Sequence, residues 1–204
     1  MRKQFCEHLA VYAGQTLTQE VALALVRDLF PDASLDVASF GVVQYGEFTF
    51  QVEQLRDVWG EMQQLHTEHH MQTDMGMTGY AFTPDRDDLL ERERAGRLLQ
   101  CTARNKNGLL VGHMRAYLTT SIQTNTLVAS DAAFYVTPAY RGGFMALRLW
   151  QFTEACAVAA GAKEIYCETR LVNGVDKMAK RLNYKPVAMV HCKIIPKHIG
   201  ANHG

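Results

Sequence analysis

Two apolar-rich segments that flank a short polar turn constrain the fold of this chain more than any other feature. The first segment reads LLQCTARN from Leu98, the turn reads KNG, and the second segment reads LLVGHMRAYLTTS. Asn-Gly favours a tight hairpin, because both residues accept positive φ angles. A third apolar segment, LVASDAAFYVT over 127–137, follows a second polar turn at Thr124–Thr126. The sequence therefore predicts a meander of three antiparallel strands.

Helical and extended patterns alternate on both sides of this meander. Before it, the sequence predicts a helix capped by Thr16, a strand in which apolar and polar residues alternate, and two helices. After it, we expect a helix, a strand, a second helix and a final strand. This order predicts an α/β protein. Along the chain the flanking elements are 17–30, 46–55, 56–72, 85–96, 143–160, 162–170, 171–184 and 185–195.

The chain length of 204 residues suits one domain with an extension. We predict an N-terminal extension over 1–45, a main domain over 46–196 and a C-terminal tail over 197–204. Glu7 and His8 interrupt what would be the apolar core of a secretion signal, so we expect the N-terminus to be mature sequence.

Composition excludes several classes of function. The chain has 21 Lys and Arg residues against 21 Asp and Glu residues, and 48% of its residues are hydrophobic. We expect neither disorder nor a nucleic-acid partner, since a duplex binder normally carries a basic surplus. No apolar run reaches the 18 residues of a membrane span, so we expect no membrane partner. The five cysteines form no C-x-x-C pair, which indicates free thiols and a cytoplasmic protein.

The segment FYVTPAYRGGFMALRLW has the pattern of a phosphate-binding turn. A strand passes through Pro138 into a glycine-containing turn that opens a helix, so unpaired N–H groups and the positive helix end converge there. Arg141 adds a positive charge, and Gly142 with Gly143 leaves the backbone accessible to a ligand. The alternative is that the glycine pair only makes a turn, and local sequence does not decide between the two.

Residues 47–195 resemble the GNAT superfamily of acyl-CoA N-acyltransferases. The resemblance rests on the strand, the V-T-P-A-Y-R-G-G turn and the apolar helix, followed by G-A-K-E-I and N-G-V-D-K-M-A-K-R-L-N-Y-K-P-V. The resemblance is strongest to GNAT-like proteins of tailed bacteriophages, in which an early helix often carries His and Glu after a leucine. Leu65, His66 and Glu68 approximate that pattern. The resemblance implies a GNAT fold, with a mixed, mostly antiparallel sheet flanked by helices and, here, a helical N-terminal extension.

The same resemblance implies acetyl-CoA as co-substrate, held between two splayed parallel strands that end at Val136 and Thr169. The pyrophosphate is expected on the turn. Phe144 stands where the family turn has its central Gly, and Ala179 stands where many members have the Tyr that protonates the leaving thiolate. The implied cofactor-binding residues are Val136, Arg141, Gly142, Gly143, Phe144, Met145, Ala146 and Asn173.

Amine acylation needs a free amine, a polarised thioester carbonyl and a protonated leaving thiol. A backbone N–H near Val136 is the expected oxyanion donor if the strand bulges. Asp131, on the same strand, is the first candidate for the catalytic base, and Glu168 on the neighbouring strand is a second. The alternative for Asp131 is a solvent-exposed residue at the start of a strand.

Three histidines lie close together in LHTEHHM. His66 and His70 are four residues apart on one helical face, but Glu68 does not stand where either known His-Glu-His zinc motif requires it. We therefore expect no metal. The histidines are predicted to face solvent or substrate, with His66 and Glu68 lining an acceptor pocket and joining Asp131 as candidate catalytic residues.

Two functions remain open on the sequence. The first is an N-acetyltransferase that transfers acetyl from acetyl-CoA directly to the amine of an acceptor. The second is a non-catalytic GNAT-like protein, such as a phage virion or assembly component, and Phe144 and Ala179 favour it. The expected partners are an acyl-CoA and an amine acceptor, with a homo-oligomer or virion assembly as the protein partner. A metal-dependent hydrolase built on the histidines is a third, weaker alternative.

Overall fold

The computed structural model describes residues 2–19, 21–22, 25, 34–73, 78–170 and 174–195. Within them the chain forms a six-stranded sheet whose strands lie side by side in chain order. The first five strands pair antiparallel and the sixth pairs parallel with the fifth, so the predicted α/β class with a mixed, mostly antiparallel sheet is confirmed. The strands are β1 (Val42–Tyr45), β2 (Phe48–Val52), β3 (Leu98–Arg104), β4 (Leu110–Thr120), β5 (Leu127–Val136) and β6 (Glu164–Tyr166).

Helices cover the sheet. The helix Leu55–Thr73 packs against β4 and β5, and the helix Met145–Ala159 packs against β3 and β4. In the helix Leu55–Thr73, the helically spaced Val58, Met62 and Leu65 form a buried stripe that packs with Leu110 and Tyr135. Burying one such side chain contributes about 1.5–3 kcal/mol. The helices are α1 (Arg2–Val11), α2 (Leu55–Thr73), α3 (Arg86–Arg94), α4 (Met145–Ala159) and α5 (Val175–Arg181).

The predicted hairpin is present as β3 and β4, but its turn differs from the prediction. Gly108 has a φ of 79°, whereas the φ of Asn107 is not positive. Five residues, 105–109, separate β3 from β4, and the side chain of Asn105 accepts hydrogen bonds from the N–H groups of Asn107 and Leu109. These bonds stabilise a longer loop in which Gly108 supplies the positive φ.

Two predicted elements near the ends of the chain need correction. The segment 185–195 forms no strand, and Val187 and Met189 are 77% and 79% exposed. An alternating pattern predicts extended backbone but does not supply a neighbouring strand. The helix predicted over 17–30 lies mostly outside the described residues; at its start the hydroxyl of Thr18, rather than that of Thr16, accepts the hydrogen bond from the Val21 N–H.

Strand β1 was not predicted, because its four residues VVQY show little alternation. It pairs with β2, so the sheet begins at Val42. No helix in the described part of the chain is long and apolar enough to cross a membrane.

The site depends on how β5 and β6 separate. Their parallel pairing covers only Val128–Ser130 and ends at the pair Ser130 and Tyr166. Just beyond, the register with β4 shifts, since Ala116 pairs with Asp131 and Arg115 with Ala133. Ala132 is therefore an extra, bulged residue. From this point to Val136, β5 has no strand partner on its β6 side among the described residues.

Candidate functional site

A cleft of about 830 Å³ opens at the end of β5, between α2, the turn before α4, and α5. Its walls include six of the eight residues predicted to bind a cofactor. Met145 is not among them, because its side chain is buried in the core. Asn173 lies outside the described residues. The six lining residues are Val136, Arg141, Gly142, Gly143, Phe144 and Ala146.

The backbone of the turn presents unused hydrogen-bond donors to this cleft. The N–H groups of Tyr140 and Arg141 donate to Thr137 and Pro138, and the first N–H bonded in α4 is that of Arg148. Within the described chain, the N–H groups of residues 142–147 have no acceptor, and α4 has no side-chain cap. Such a helix start attracts an anion through its free N–H groups and its dipole.

The glycine pair leaves open space beside these donors. A Cβ built on Gly142 or Gly143 meets no atom within 4 Å, and neither residue has a positive φ. The turn geometry therefore does not require glycine here, and a ligand can approach the backbone directly. The ring of Phe144 is 59% exposed, so it does not fill the cleft.

Arg141 is held by the protein itself. Its Nε donates to the carbonyl oxygen of Val136 at 2.7 Å, and its Nη2 donates to Oε1 of Gln72 at 2.7 Å. Its guanidinium also lies over the ring of Tyr135, 5.1 Å from the centroid. Arg141 thus adds positive charge to the wall of the cleft while tying α2 to the end of β5.

The same network continues to Glu68. Gln72 Nε2 donates to the hydroxyl of Tyr135 at 3.1 Å, and this hydroxyl donates to Oε2 of Glu68 at 2.9 Å. Burial raises the pKa of Tyr135, and its hydrogen bond to Glu68 raises it further. Glu68 is therefore joined to the cleft through Tyr135 rather than lining it.

The cleft is lined by cations. Besides Arg141, Lys177 and Arg181 of α5 line it, and no Asp or Glu of the described residues does so. His69 of α2 lines it as well. Sequence reasoning missed Lys177 and Arg181, although their spacing of four residues places them on one face of a helix.

Asp131 lies where β5 and β6 separate. Its Oδ1 accepts a hydrogen bond of 2.6 Å from the backbone N–H of Glu168, whose own side chain is exposed. Burial raises the pKa of Asp131 to about 6, the charge of Glu168 also raises it, and the hydrogen bond from the Glu168 N–H opposes the shift. The carboxylate is half-buried rather than fully solvated, and it is ionised at neutral pH.

The structure does not bring His66 to the cleft. Its ring is buried between α2 and the sheet, where Nε2 lies 3.1 Å from Nη2 of Arg115 and the ring centroid lies 5.0 Å from that of His113. Burial, together with the charges of Arg115 and His69, lowers the pKa of His66 to about 3. The prediction that His66 faces solvent or substrate beside Glu68 is therefore wrong in geometry. Residues two apart lie on different sides of a helix.

His69 is the histidine of the run that reaches the cleft. It extends the stripe of Val58, Met62 and Leu65 to the end of β5, and its ring centroid lies 5.4 Å from that of Tyr135, with the two rings tilted by 32°. That stripe is the sequence signal that could have singled out His69. No group of three or more His, Cys, Asp or Glu side chains within the described ranges is arranged to hold a metal ion.

Ala179 is buried and supplies no hydroxyl. The nearest tyrosine along the chain, Tyr184, accepts a hydrogen bond from Nε1 of Trp150 at 3.1 Å. Burial raises the pKa of Tyr184, and its hydrogen bond to Glu154 also raises it, so this phenol is a poor proton donor.

No protein-family model matches the chain, and no curated protein matches its sequence. Solved structures nevertheless share its fold. An aminoglycoside acetyltransferase from an uncultured soil metagenomic sample aligns with a TM-score of 0.59 at 14% identity, over 73% of this chain and 99% of that one. A second, in complex with sisomicin, aligns with a TM-score of 0.58 at 14% identity, over 74% of this chain and 97% of that one.

A ribosomal-protein-alanine N-acetyltransferase from Brucella melitensis biovar Abortus aligns with a TM-score of 0.53 at 18% identity, over 72% of this chain and 98% of that one. These similarities establish the GNAT fold, as the resemblance implied. Each known structure is covered almost completely, while about a quarter of this chain lies outside the match.

Proposed function

We propose that this protein is an N-acetyltransferase that transfers the acetyl group of acetyl-CoA to the amine of an acceptor by direct attack. One observation carries the proposal: the N–H groups of residues 142–147 have no acceptor among the described residues, and all of these residues except Met145 line an open cleft of about 830 Å³. Had the chain occupied these donors itself, only the architecture would support the activity.

The donor end of the site matches a pyrophosphate. The free N–H groups and the dipole of α4 suit a doubly charged group, and Gly142 and Gly143 allow it to reach the backbone. Arg141, Lys177 and Arg181 make the surrounding wall positive. The thioester then extends along β5 into the gap that opens beyond Ser130 and Tyr166.

Asp131 is the proposed base. In the transfer, the amine nitrogen attacks the thioester carbonyl carbon, the C–S bond breaks, and Asp131 accepts the proton lost by the nitrogen, directly or through a water molecule. Its pKa of about 6 leaves the carboxylate ionised at neutral pH. Because this pKa lies within about one unit of neutral pH, the group can both accept and release a proton. Asp131 then passes this proton, directly or through water, to the departing CoA thiolate, which leaves as the thiol, and Asp131 returns to its ionised form.

The developing oxyanion needs an N–H donor. The bulge of β5 lies at Ala132, beside Asp131, so we assign this role to the backbone around Ala132 instead of Val136. Glu68 acts through the hydroxyl of Tyr135, which it orients at the edge of the cleft. Glu68 is therefore a positioning residue in this proposal, and His66 has no catalytic role.

Calorimetry with acetyl-CoA, followed by release of the CoA thiol in the presence of an amine, tests the proposal. Sisomicin and a peptide with an N-terminal alanine are suitable first acceptors, because the fold is shared with an aminoglycoside acetyltransferase in complex with sisomicin and with a ribosomal-protein-alanine N-acetyltransferase. We expect saturable binding of acetyl-CoA and an amide product detected by mass spectrometry. Absence of binding at millimolar acetyl-CoA would contradict the proposal.

A second candidate is a non-catalytic GNAT-like scaffold, such as a phage virion or assembly component. The alanine at 179, where many family members have the proton-donating Tyr, favours it. This candidate predicts acetyl-CoA binding without thiol release across a broad set of amines, or no binding at all. The N-acetyltransferase predicts release that depends on Asp131.

A further inference from the structure

We propose that Lys177 and Arg181 form a phosphate-recognising pair that makes the cleft select CoA over the same molecule lacking the ribose 3′-phosphate. The inference rests on the proposed function, because it names a second contact of the same donor.

The two side chains share one face of α5 and one wall of the cleft. They are four residues apart, which brings them together on a helix, and both line the cleft with exposed side chains. Neither has a carboxylate partner within ion-pair distance in the described part of the chain. By contrast, Lys180 of the same helix pairs with Asp176 at 3.3 Å and does not line the cleft.

Arg141 is less available to a phosphate than Lys177 and Arg181. Two of its donor nitrogens are bound to Val136 and Gln72, and its flat face covers Tyr135. It contributes charge to the cleft wall, but a phosphate that bound those nitrogens would have to displace protein contacts of 2.7 Å. Lys177 and Arg181, by contrast, make no hydrogen bond through their side-chain nitrogens to any described residue, so all of these donors are available to a phosphate.

The cleft thus has two separate elements for anions. The start of α4 offers neutral N–H groups, and α5 offers two full charges from another wall. A ligand with a single phosphorylated region would leave one of them unused. CoA carries a pyrophosphate and a separate phosphate on the ribose, so it matches both, and a dianionic phosphate gains most from charged donors.

Calorimetry with CoA and dephospho-CoA tests the pair in the full-length protein. We expect wild type to bind CoA at least tenfold more tightly than dephospho-CoA, with the difference shrinking as salt rises. Lys177→Gln and Arg181→Gln should each weaken CoA binding several-fold and leave dephospho-CoA binding within twofold. Arg181→Lys, which keeps the charge, should retain most of the preference.

Lys180→Gln is the matched control, since it removes a charge from the same helix away from the cleft. It should leave both affinities unchanged. Because the three side chains are exposed, none of these variants should shift the melting temperature appreciably, and thermal scans verify that each is folded.

The outcomes separate the two proposals. Equal binding of CoA and dephospho-CoA by wild type overturns the pair and leaves the proposed function intact. A preference for CoA that survives both Gln substitutions also overturns it. Failure of wild type to bind either molecule overturns the pair and the proposed function together.

Discussion

The backbone N–H of Glu168 donates a hydrogen bond of 2.6 Å to Oδ1 of Asp131, across the point where β5 and β6 stop pairing. A side chain from one strand thus takes the place of the missing backbone partner and holds the mouth of the gap. The same carboxylate is half-buried and is our candidate base, so stability and activity are expected to make opposite demands on this residue.

Asp131→Asn should separate these demands. The amide oxygen can still accept from the Glu168 N–H, while the cost of burying a charge is removed. An acid whose pKa is raised by folding, here from 3.8 to about 6, loses stability as pH rises between these values. We therefore expect the variant to be more stable than wild type by about 3 kcal/mol at pH 8.

That advantage should disappear near pH 4, where the wild-type carboxyl is protonated in the folded state. Denaturant unfolding at both pH values measures it. Acetyl transfer should fall by about 100-fold or more. A variant that keeps full activity would exclude Asp131 as the base.

Gly143→Ala tests the open space beside the turn. A Cβ there meets no protein atom and the backbone has no positive φ, so folding should be unaffected. If the pyrophosphate lies against this backbone, the added methyl group should weaken CoA binding about tenfold, measured by calorimetry.

Gly60→Ala is the matched control for this substitution. Gly60 lies in α2, also has space for a Cβ, and does not line the cleft. It should stabilise the protein by up to about 1 kcal/mol and leave CoA binding unchanged. Equal binding by both variants would mean that the ligand does not approach Gly143.

Phe144→Asp and Phe144→Asn differ only in charge at the start of α4. The native ring is 59% exposed, so its loss should cost little stability. The aspartate should favour the helix by about 0.5 kcal/mol through its dipole but repel phosphate. We expect CoA binding to fall more than tenfold in the Asp variant and much less in the Asn variant, with thermal unfolding as the stability measure. Similar affinities would argue against an anion at this helix start.

The buried histidines should make the protein sensitive to acid. Burial, with the charges of Arg115 and His69 adding to it, lowers the pKa values of His66 and His113, and each also lies beside the other. Both are neutral when folded, whereas the unfolded chain takes up protons below pH 6.5, so stability falls as pH decreases from there. Each histidine should contribute a slope approaching 1.4 kcal/mol per pH unit.

His113→Leu should remove one of these slopes. Neither ring nitrogen of His113 has a hydrogen-bond partner among the described residues, so the substitution breaks no hydrogen bond to them. Denaturant unfolding between pH 8 and pH 5 measures the change. An unaltered pH dependence would show that His113 does not titrate on unfolding, and thermal scans at pH 7 verify the fold.

Local patterns predicted most of the sheet and the site's turn. The alternation in β2, the paired apolar runs of β3 and β4, and the helical stripe of α2 each follow from the geometry of one element, which neighbouring residues already specify. The run from Val136 to Ala146 likewise identified the strand, turn and helix that line the cleft.

What the sequence determined by itself, therefore, was which segments are extended or helical and where backbone N–H groups are left over. Only the tertiary structure decided that His66 is buried beside Arg115 while His69 reaches the cleft, that the Arg141 guanidinium is held by Val136 and Gln72, and that 185–195 has no strand to pair with. These outcomes depend on which faces of distant elements meet. Dihedral preferences and periodicity act over a few residues, whereas burial and hydrogen-bond partners are set by residues tens of positions away.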